Sequence, residues 1–560
     1  AEFPLSLPVT GTAITIITDM TSRLLHWIDL NILSLGRDMR LSYLPPLMVY
    51  MAAGIQGLTG IVGTFFVKDY LGLSAEFLAA LGFWVGIPWA LKIPMGHLVD
   101  LVWRYKSLLI YLGASIIAAS LLIMAGLIAE RDAMAAILPI NTWFVLSALL
   151  SPIGYVLQDA VADAMTVEAV PHVEEDGTPV TPERLKLMHT TMQTLGRVAI
   201  IGGSVLVALV NLYLFSGTEA LPEAEKVLLY RDIYLMALVI PAVSVAGVAF
   251  AALLRMRHIR AHMARGLSRA EAAALLREPD GNTRPNWWII GGSAAFVAFT
   301  LTMGLSDLKW NQEIIFVGSF AIIAFLMAKL TRELDATARN TLIGTALVIF
   351  MFRATPGTGP GVSWWSIDVL GFDQAFFSVL SLIASALTLI GMFLFRRFMA
   401  ERSILYVVGF LTAASFVLSL PTLGMSMGLH EWTASVTGGV VDARFIAVID
   451  TALESPLGQI SMIPMLAWIA NSAPAHLKAT FFAVMASFTN LALSASQLGT
   501  KYLNQIFTLA REVKDPATGA VVTAANYSDL TSLLLTVVAI AVLMPVSAIL
   551  IARALHLRSA

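Results

Sequence analysis

The sequence predicts an all-α polytopic membrane protein, with two six-helix bundles and two extra spans in the linker between them. Three observations carry that prediction. Hydrophobic residues make up 58% of the 560-residue chain and charged residues only 13%, with a mean hydropathy of +0.79, whereas soluble domains average about 25% charged. Apolar stretches long enough to cross roughly 30 Å of hydrocarbon recur from end to end. A short cassette also occurs twice, as Asp69-Tyr70-Leu71-Gly72-Leu73-Ser74-Ala75-Glu76-Phe77 and as Asp368-Val369-Leu370-Gly371-Phe372-Asp373-Gln374-Ala375-Phe376. Each copy lies between two long apolar runs, at a period too long for a solenoid unit, so the repeat reads as a duplicated membrane half.

Taken in order, residues 1–42 precede the first span. They lack a basic segment before an apolar core, and Asp19, Arg23 and Asp29 interrupt the run from Ile14 to Leu35, so no cleavable leader is expected. Leu24, Leu25, Trp27, Ile28 and Ile32 fall at helical spacing and predict an interfacial amphipathic helix; a partly ordered tail is the alternative. The first bundle, 43–254, has spans near 43–67, 75–97, 107–129, 139–166, 187–215 and 229–254. The linker, 255–339, carries Arg255, Arg257, Arg260, Arg265, Arg269, Arg277 and Arg284, a short amphipathic helix over Ser268–Leu276, and two further spans near 287–305 and 312–331. The second bundle, 340–560, has spans near 340–357, 373–397, 403–421, 438–470, 476–508 and 528–555. Within 511–528, Asp515-Pro516-Ala517-Thr518-Gly519 between alternating stretches reads as a small hairpin.

Charge bias orients the layout. With both termini in the cytoplasm, roughly 23 Lys and Arg fall on cytoplasmic segments and roughly nine on the other side. An odd number of linker spans would invert the second half and spoil this bias. The arginine-rich linker therefore reads as a topology and lipid-headgroup determinant, with no nucleic-acid partner. Absence of cysteine removes disulfides, thiolate metal sites and a cysteine nucleophile. The chain has no Walker lysine motif and no metal-ligand spacing, so no ATP-driven chemistry, metal or cofactor is expected. No nucleophile–base constellation appears in the spans, which argues against an enzyme.

Ionisable groups inside spans are expensive, about 2.5–3.5 kcal/mol each on insertion scales, and are functional candidates by default. Asp159 and Asp163 in the fourth span, and Asp450 and Glu454 in the tenth, are spaced i,i+4, so each pair shares one helix face. Opposing them are Lys92, Arg197 and Arg353. Arg197 and Glu454 fall near the midplane, while Lys92 and Asp163 sit toward the cytoplasm, where both can snorkel. If three ion pairs form, one carboxylate remains, and burial beside a like charge equips it to carry a proton; static interhelical pairing is the competing role. Gln56, Gln193, Asn490 and Gln497 offer hydrogen bonds to an uncharged heterocycle or to neighbouring helices. Gln193 lies one turn before Arg197. Phe352-Arg353-Ala354-Thr355-Pro356-Gly357-Thr358-Gly359-Pro360-Gly361 ends or breaks the seventh span, and such breaks aim backbone groups into cavities.

Gly96-His97-Leu98-Val99-Asp100-Leu101-Val102-Trp103-Arg104-Tyr105-Lys106 resembles the major facilitator signature G-x-L-x-D-x-x-x-R-x-K, in which Gly96 would permit close helix approach and Asp100 and Arg104 would form a gating charge latch. The chain further resembles the folate–biopterin transporter family of that superfamily. The likeness rests on Lys68-Asp69-Tyr70-Leu71-Gly72-Leu73-Ser74, Trp89-Ala90-Leu91-Lys92-Ile93-Pro94-Met95-Gly96, Asp159-Ala160-Val161-Ala162-Asp163-Ala164-Met165, Phe352-Arg353-Ala354-Thr355-Pro356, Gly458-Gln459-Ile460, and Phe481-Phe482-Ala483-Val484-Met485-Ala486-Ser487-Phe488-Thr489-Asn490. It covers about residues 45 to 550. It departs where the family's Lys-Pro becomes Lys92-Ile93-Pro94, and in the linker spans and N-terminus.

The resemblance implies a major facilitator fold with a central cavity, and secondary active transport of a folate- or pteridine-like metabolite by alternating access and proton symport. It makes Lys92, Asp159, Asp163 and Arg353 the leading functional positions. It also implies residence in a bacterial inner membrane among lipids. A second class stays open: a non-transporting assembly factor or subunit of a larger membrane complex, docked to a membrane protein partner through the N-terminal helix or the extra spans. The duplicated cassette reads as architecture, with Asp69 and Asp368 as helix caps.

Overall fold

Each stretch that the sequence marks as a span contains helix in its described part. The computed structural model describes residues 22, 25–26, 28–29, 33–37, 39–90, 92, 95, 99, 102, 105–170, 180–218, 221–275, 287–304, 306, 308–332, 336–395, 398, 402–458, 478–514 and 521–557. Most of the expected N-terminal amphipathic helix, and the signature residues Gly96, Asp100 and Arg104, lie outside them.

The first bundle runs α1 (Leu44–Gly54), a 3-10 turn (Ile55–Thr59), α2 (Gly60–Tyr70), α3 (Ala75–Ala90), α4 (Lys106–Ala129), a short α5 (Arg131–Ile137), α6 (Ile140–Ala169), α7 (Pro182–Leu214), α8 (Glu223–Met236) and α9 (Val239–Ala264). The linker holds α10 (Arg269–Leu275), α11 (Trp287–Gly304) and α12 (Asn311–Thr331). The second bundle comprises α13 (Ala336–Arg353), α14 (Gly361–Asp368), α15 (Gln374–Leu394), α16 (Ile404–Ser426), α17 (Leu429–Val436), α18 (Ala443–Glu454) and α19 (Lys478–Ile506). It closes with an antiparallel hairpin, β1 (Val513–Lys514) with β2 (Val521–Thr523), and α20 (Leu530–Ala554). The hairpin falls where the turn residues placed it. Among the described residues, nine helical segments are long and apolar enough to cross a membrane.

Local chemistry sets the starts. Thr181 accepts from Arg184 N ahead of Pro182, and Ser403 and Asp442 cap α16 and α18 in the same way. Small residues set the packing. A Cβ on Gly54 would lie 2.2 Å from Ile200 O, and one on Gly154 would lie 2.7 Å from Gly113 O. Backbones therefore touch at α1–α7 and α4–α6, the close approach that drives helix association where there is no hydrophobic effect to help.

The cassette is a stop–start device. Gly72 and Gly371 have φ of +65° and +66°, the left-handed conformation that ends helices and that glycine adopts without steric cost. Two residues on, Ser74 and Asp373 start the next helix by accepting from Phe77 N at 3.1 Å and Phe376 N at 2.7 Å. Ser74 and Asp373, rather than Asp69 and Asp368, start the helices that follow the cassettes; this corrects the expectation from sequence.

The bundles meet along two seams. The second long helix of one, α3, packs on the fifth of the other, α19, and α7 packs on α15 in the reciprocal arrangement. The linker helices α11 and α12 form a pair lying against the α3–α19 seam. Ile315 joins Phe83, Ile87 and Leu498 in one buried cluster, and Gln312 Nε2 donates to Ala80 O at 3.2 Å. Glu313 accepts from Lys501 Nζ at 3.2 Å and from the Tyr502 hydroxyl.

Candidate functional site

The i,i+4 spacing of Asp159 and Asp163 on α6 presents both carboxylates to one lysine. Lys92 Nζ lies 2.6 Å from Asp159 Oδ2 and 2.8 Å from Asp163 Oδ2. Its side chain is 18% exposed, so Lys92 turns inward to its partners and does not snorkel. From α1, the Tyr50 hydroxyl donates to Asp163 Oδ1 at 2.6 Å. The Tyr50 ring lies against Gly196 on α7, where a Cβ would come within 2.9 Å. Arg197, next along, adds its positive charge to the field at Tyr50, Asp159 and Asp163. Asp163, 41% exposed against 19% for Asp159, is the open side of this network. Tyr50 escaped the sequence reading because a tyrosine in an apolar run reads as packing.

The second acid pair is built differently. Asp450 Oδ2 accepts from Thr422 Oγ1 of α16 at 3.2 Å, while its Oδ1 is buried without a hydrogen-bond partner. Glu454, one turn on, is exposed. Among the described residues no cation lies within ion-pair distance of either. In place of three ion pairs, the described residues show two acids on Lys92 and no cation on Asp450 or Glu454.

Arg353 closes α13, and its Nε is buried without an acceptor. Its depth is bracketed by its neighbours: Phe350 packs at a tilt on Phe488 at 4.9 Å between centroids, and Thr355 O accepts from Ser496 Oγ at 2.7 Å. Asn490 of α19, in the same interval, donates from Nδ2 to Trp89 O at 3.0 Å, one turn before Lys92 on the second span. Arg353 thus lies at the level of residues 488–496 of α19, the helix that packs on the span carrying Lys92.

The break after Arg353 is present, with helix resuming only at Gly361. Its polar backbone is satisfied by α19: Gly357 N donates to Thr500 Oγ1 at 2.9 Å, and Asn504 Nδ2 donates to Thr358 O at 3.3 Å. Gln56 lies exposed on the 3-10 turn that interrupts the first span, and Gln193 lies on α7 one turn before Arg197. Asn490 is a helix–helix bond, and Gln497 packs on Gly82.

The sequence profile of the BT1 family matches residues 53–556. A folate-biopterin transporter of Synechocystis sp. is 23% identical over 453 residues, covering 80% of this chain and 71% of that protein. Among solved structures, an auto-inhibited POT family peptide transporter aligns with a TM-score of 0.55 at 14% identity, covering 92% of this chain and 96% of its own. The nucleoside transporter NupG aligns with a TM-score of 0.52 at 13% identity, covering 91% and 99%. At these identities the two structures share the fold alone, which is that of major facilitator transporters.

Proposed function

Because the chain belongs to the BT1 family of folate–biopterin transporters and is a membrane transporter rather than an enzyme, we propose that it carries a folate- or pterin-like anion by proton-coupled alternating access. Its termini face the cytoplasm and its membrane is a bacterial inner membrane. The observation that carries the reading is Arg353, whose guanidinium has a buried, unpartnered Nε and, among the described residues, no carboxylate within ion-pair distance. Leaving such a group unpaired is costly, and an anionic solute supplies the missing acceptor. Lys92, already neutralised by two carboxylates, serves to fix α3 against α6 and to balance Asp163 on the open side.

Proton coupling falls to Asp450 and Glu454. Two carboxylates on one helix face, one of them with a buried oxygen lacking a partner, favour sharing a proton over holding two charges. Movement of that proton with the solute, while the bundles rock about the site, constitutes symport. On the first bundle, Arg197 adds its positive charge beside Asp159 and Asp163.

The test is uptake into proteoliposomes of folates, pterins and other small anions, with and without a pH gradient. Uptake of an anionic pterin derivative that is stimulated by the gradient is expected. Arg353→Gln should abolish it, and Asp450→Asn should remove the stimulation. Failure of every compound with folded protein overturns the transport reading. Unchanged gradient dependence in single neutralisations of Asp450, Glu454, Asp159 and Asp163 overturns the coupling.

A further inference from the structure

The two cassettes meet across the seam. Lys68, beside the first, and Asp368, the first residue of the second, form a 2.5 Å ion pair with side chains only 6% and 9% exposed. Asp368 Oδ2 also accepts from the Tyr527 hydroxyl at 2.5 Å and from Glu512 N at 3.0 Å. From the segment that leads into β1, Arg511 Nη1 donates across the seam to Leu73 O at 2.5 Å. Gln374 Nε2 donates to Tyr230 OH at 2.7 Å, and Phe65 meets Phe377 edge-to-face at 5.9 Å. These cross-bundle contacts gather at the end of the molecule that carries the cassettes.

A buried ion pair contributes little net stability, because desolvation offsets its attraction; its best-attested uses are register and switching. Here each charged group that bonds across the seam also has a partner in its own bundle. Lys68 Nζ lies 3.1 Å from Asp69 Oδ1. Asp368 keeps Tyr527 and Glu512. Arg511 stacks on Trp364 at 5.0 Å. When the bundles separate, Lys68 and Asp368 each keep a polar partner, and Arg511 keeps the Trp364 ring. Such a contact can open and close repeatedly, where a simple buried pair would resist opening.

We propose that Lys68–Asp368, held by Tyr527 and flanked by Arg511, is a reversible latch that closes the cassette end of the central cavity and releases when that end opens. The inference rests on the alternating-access reading; with cytoplasmic termini, the cassette end is the outer face. It extends to chemistry the role of a duplicated motif whose glycines and caps are architectural.

The chain has no cysteine, so a single introduced thiol reports accessibility without background. Phe377→Cys, at the seam, is labelled by a water-soluble maleimide in nanodiscs. Lys68→Met and Asp368→Asn in that background should each raise the labelling rate about fivefold or more, and the exchanged pair Lys68→Asp with Asp368→Lys should return it toward the parent rate. Tyr527→Phe, which leaves the ion pair in place, should give a smaller increase and decides the matter if the charge variants do not fold. Parent-like labelling in the singles, or an exchanged pair as fast as the singles, overturns the latch. The readout needs no transported solute, so failed uptake and a failed latch are told apart.

Discussion

Replacing Lys92 by methionine tests the core of the site most severely. The substitution keeps side-chain length and removes the only cation within ion-pair distance of Asp159 and Asp163 among the described residues. Breaking a buried pair by deleting one partner costs about 3–5 kcal/mol. Asp163 is 41% exposed and regains water, whereas Asp159 at 19% does not, so the lower end is expected, about 3 kcal/mol. Neutralising the whole set in Lys92→Met/Asp159→Asn/Asp163→Asn leaves no bare charge, and should recover stability to within about 1 kcal/mol of the parent. Denaturant unfolding in mixed micelles, followed by fluorescence of the 12 tryptophans, measures both variants. A single variant as stable as the parent, or a triple variant no better than the single, would refute the reasoning.

Three smaller tests address the frame. Gly203→Val places a Cβ 2.9 Å from Gly54 Cα and should cost about 1–3 kcal/mol by overpacking; Gly202→Val, with nothing within 4 Å of the added Cβ, is the control in the same thermal melts. Asp373→Ala removes the α15 cap and should cost about 0.5–2 kcal/mol, with Asp373→Asn retaining most of it. In the linker, Ser268 and Glu271 form a reciprocal capping box at 2.9 and 3.2 Å, and the bonds from the Ser268 hydroxyl and backbone N–H hold the Glu271 carboxyl below its usual range. A depressed carboxyl stabilises α10 above its unfolded pKa of about 4.3 and loses that contribution as pH falls through the folded value. Hydrogen-exchange protection of α10 should therefore drop on acidification, and Ser268→Ala should flatten the dependence.

What the sequence made legible was what depends on near neighbours. The i,i+4 acid pairs followed from helical periodicity, and the break after Arg353 from its prolines and glycines. The 3-10 turn in the first span had no proline to announce it. The roles of Asp69 and Asp368 were misread because an aspartate beside a helix end looks like a cap from sequence alone, while the ion-pair partner of Asp368 lies on the other bundle. For the same reason, nothing in the order of residues distinguished the acid pair that receives Lys92 from the pair that receives no cation among the described residues. Tyr50 became visible only once Gly196 was seen beneath its ring, which requires knowing that α1 and α7 are adjacent.

The α3–α19 seam also constrains biosynthesis. A Cβ at Gly82 would lie 2.7 Å from Gln497 Oε1 and one at Gly86 3.1 Å from Ser494 Oγ, and Trp89 O receives its bond from Asn490, 401 residues later. At about 5–20 residues per second that interval is roughly 20–80 s. Throughout it, the glycine-lined face of the second span sits in the bilayer without its native cover. The emerging chain therefore passes through a long-lived half-built state, and the demand on the insertion machinery is set by how late the eleventh core helix arrives.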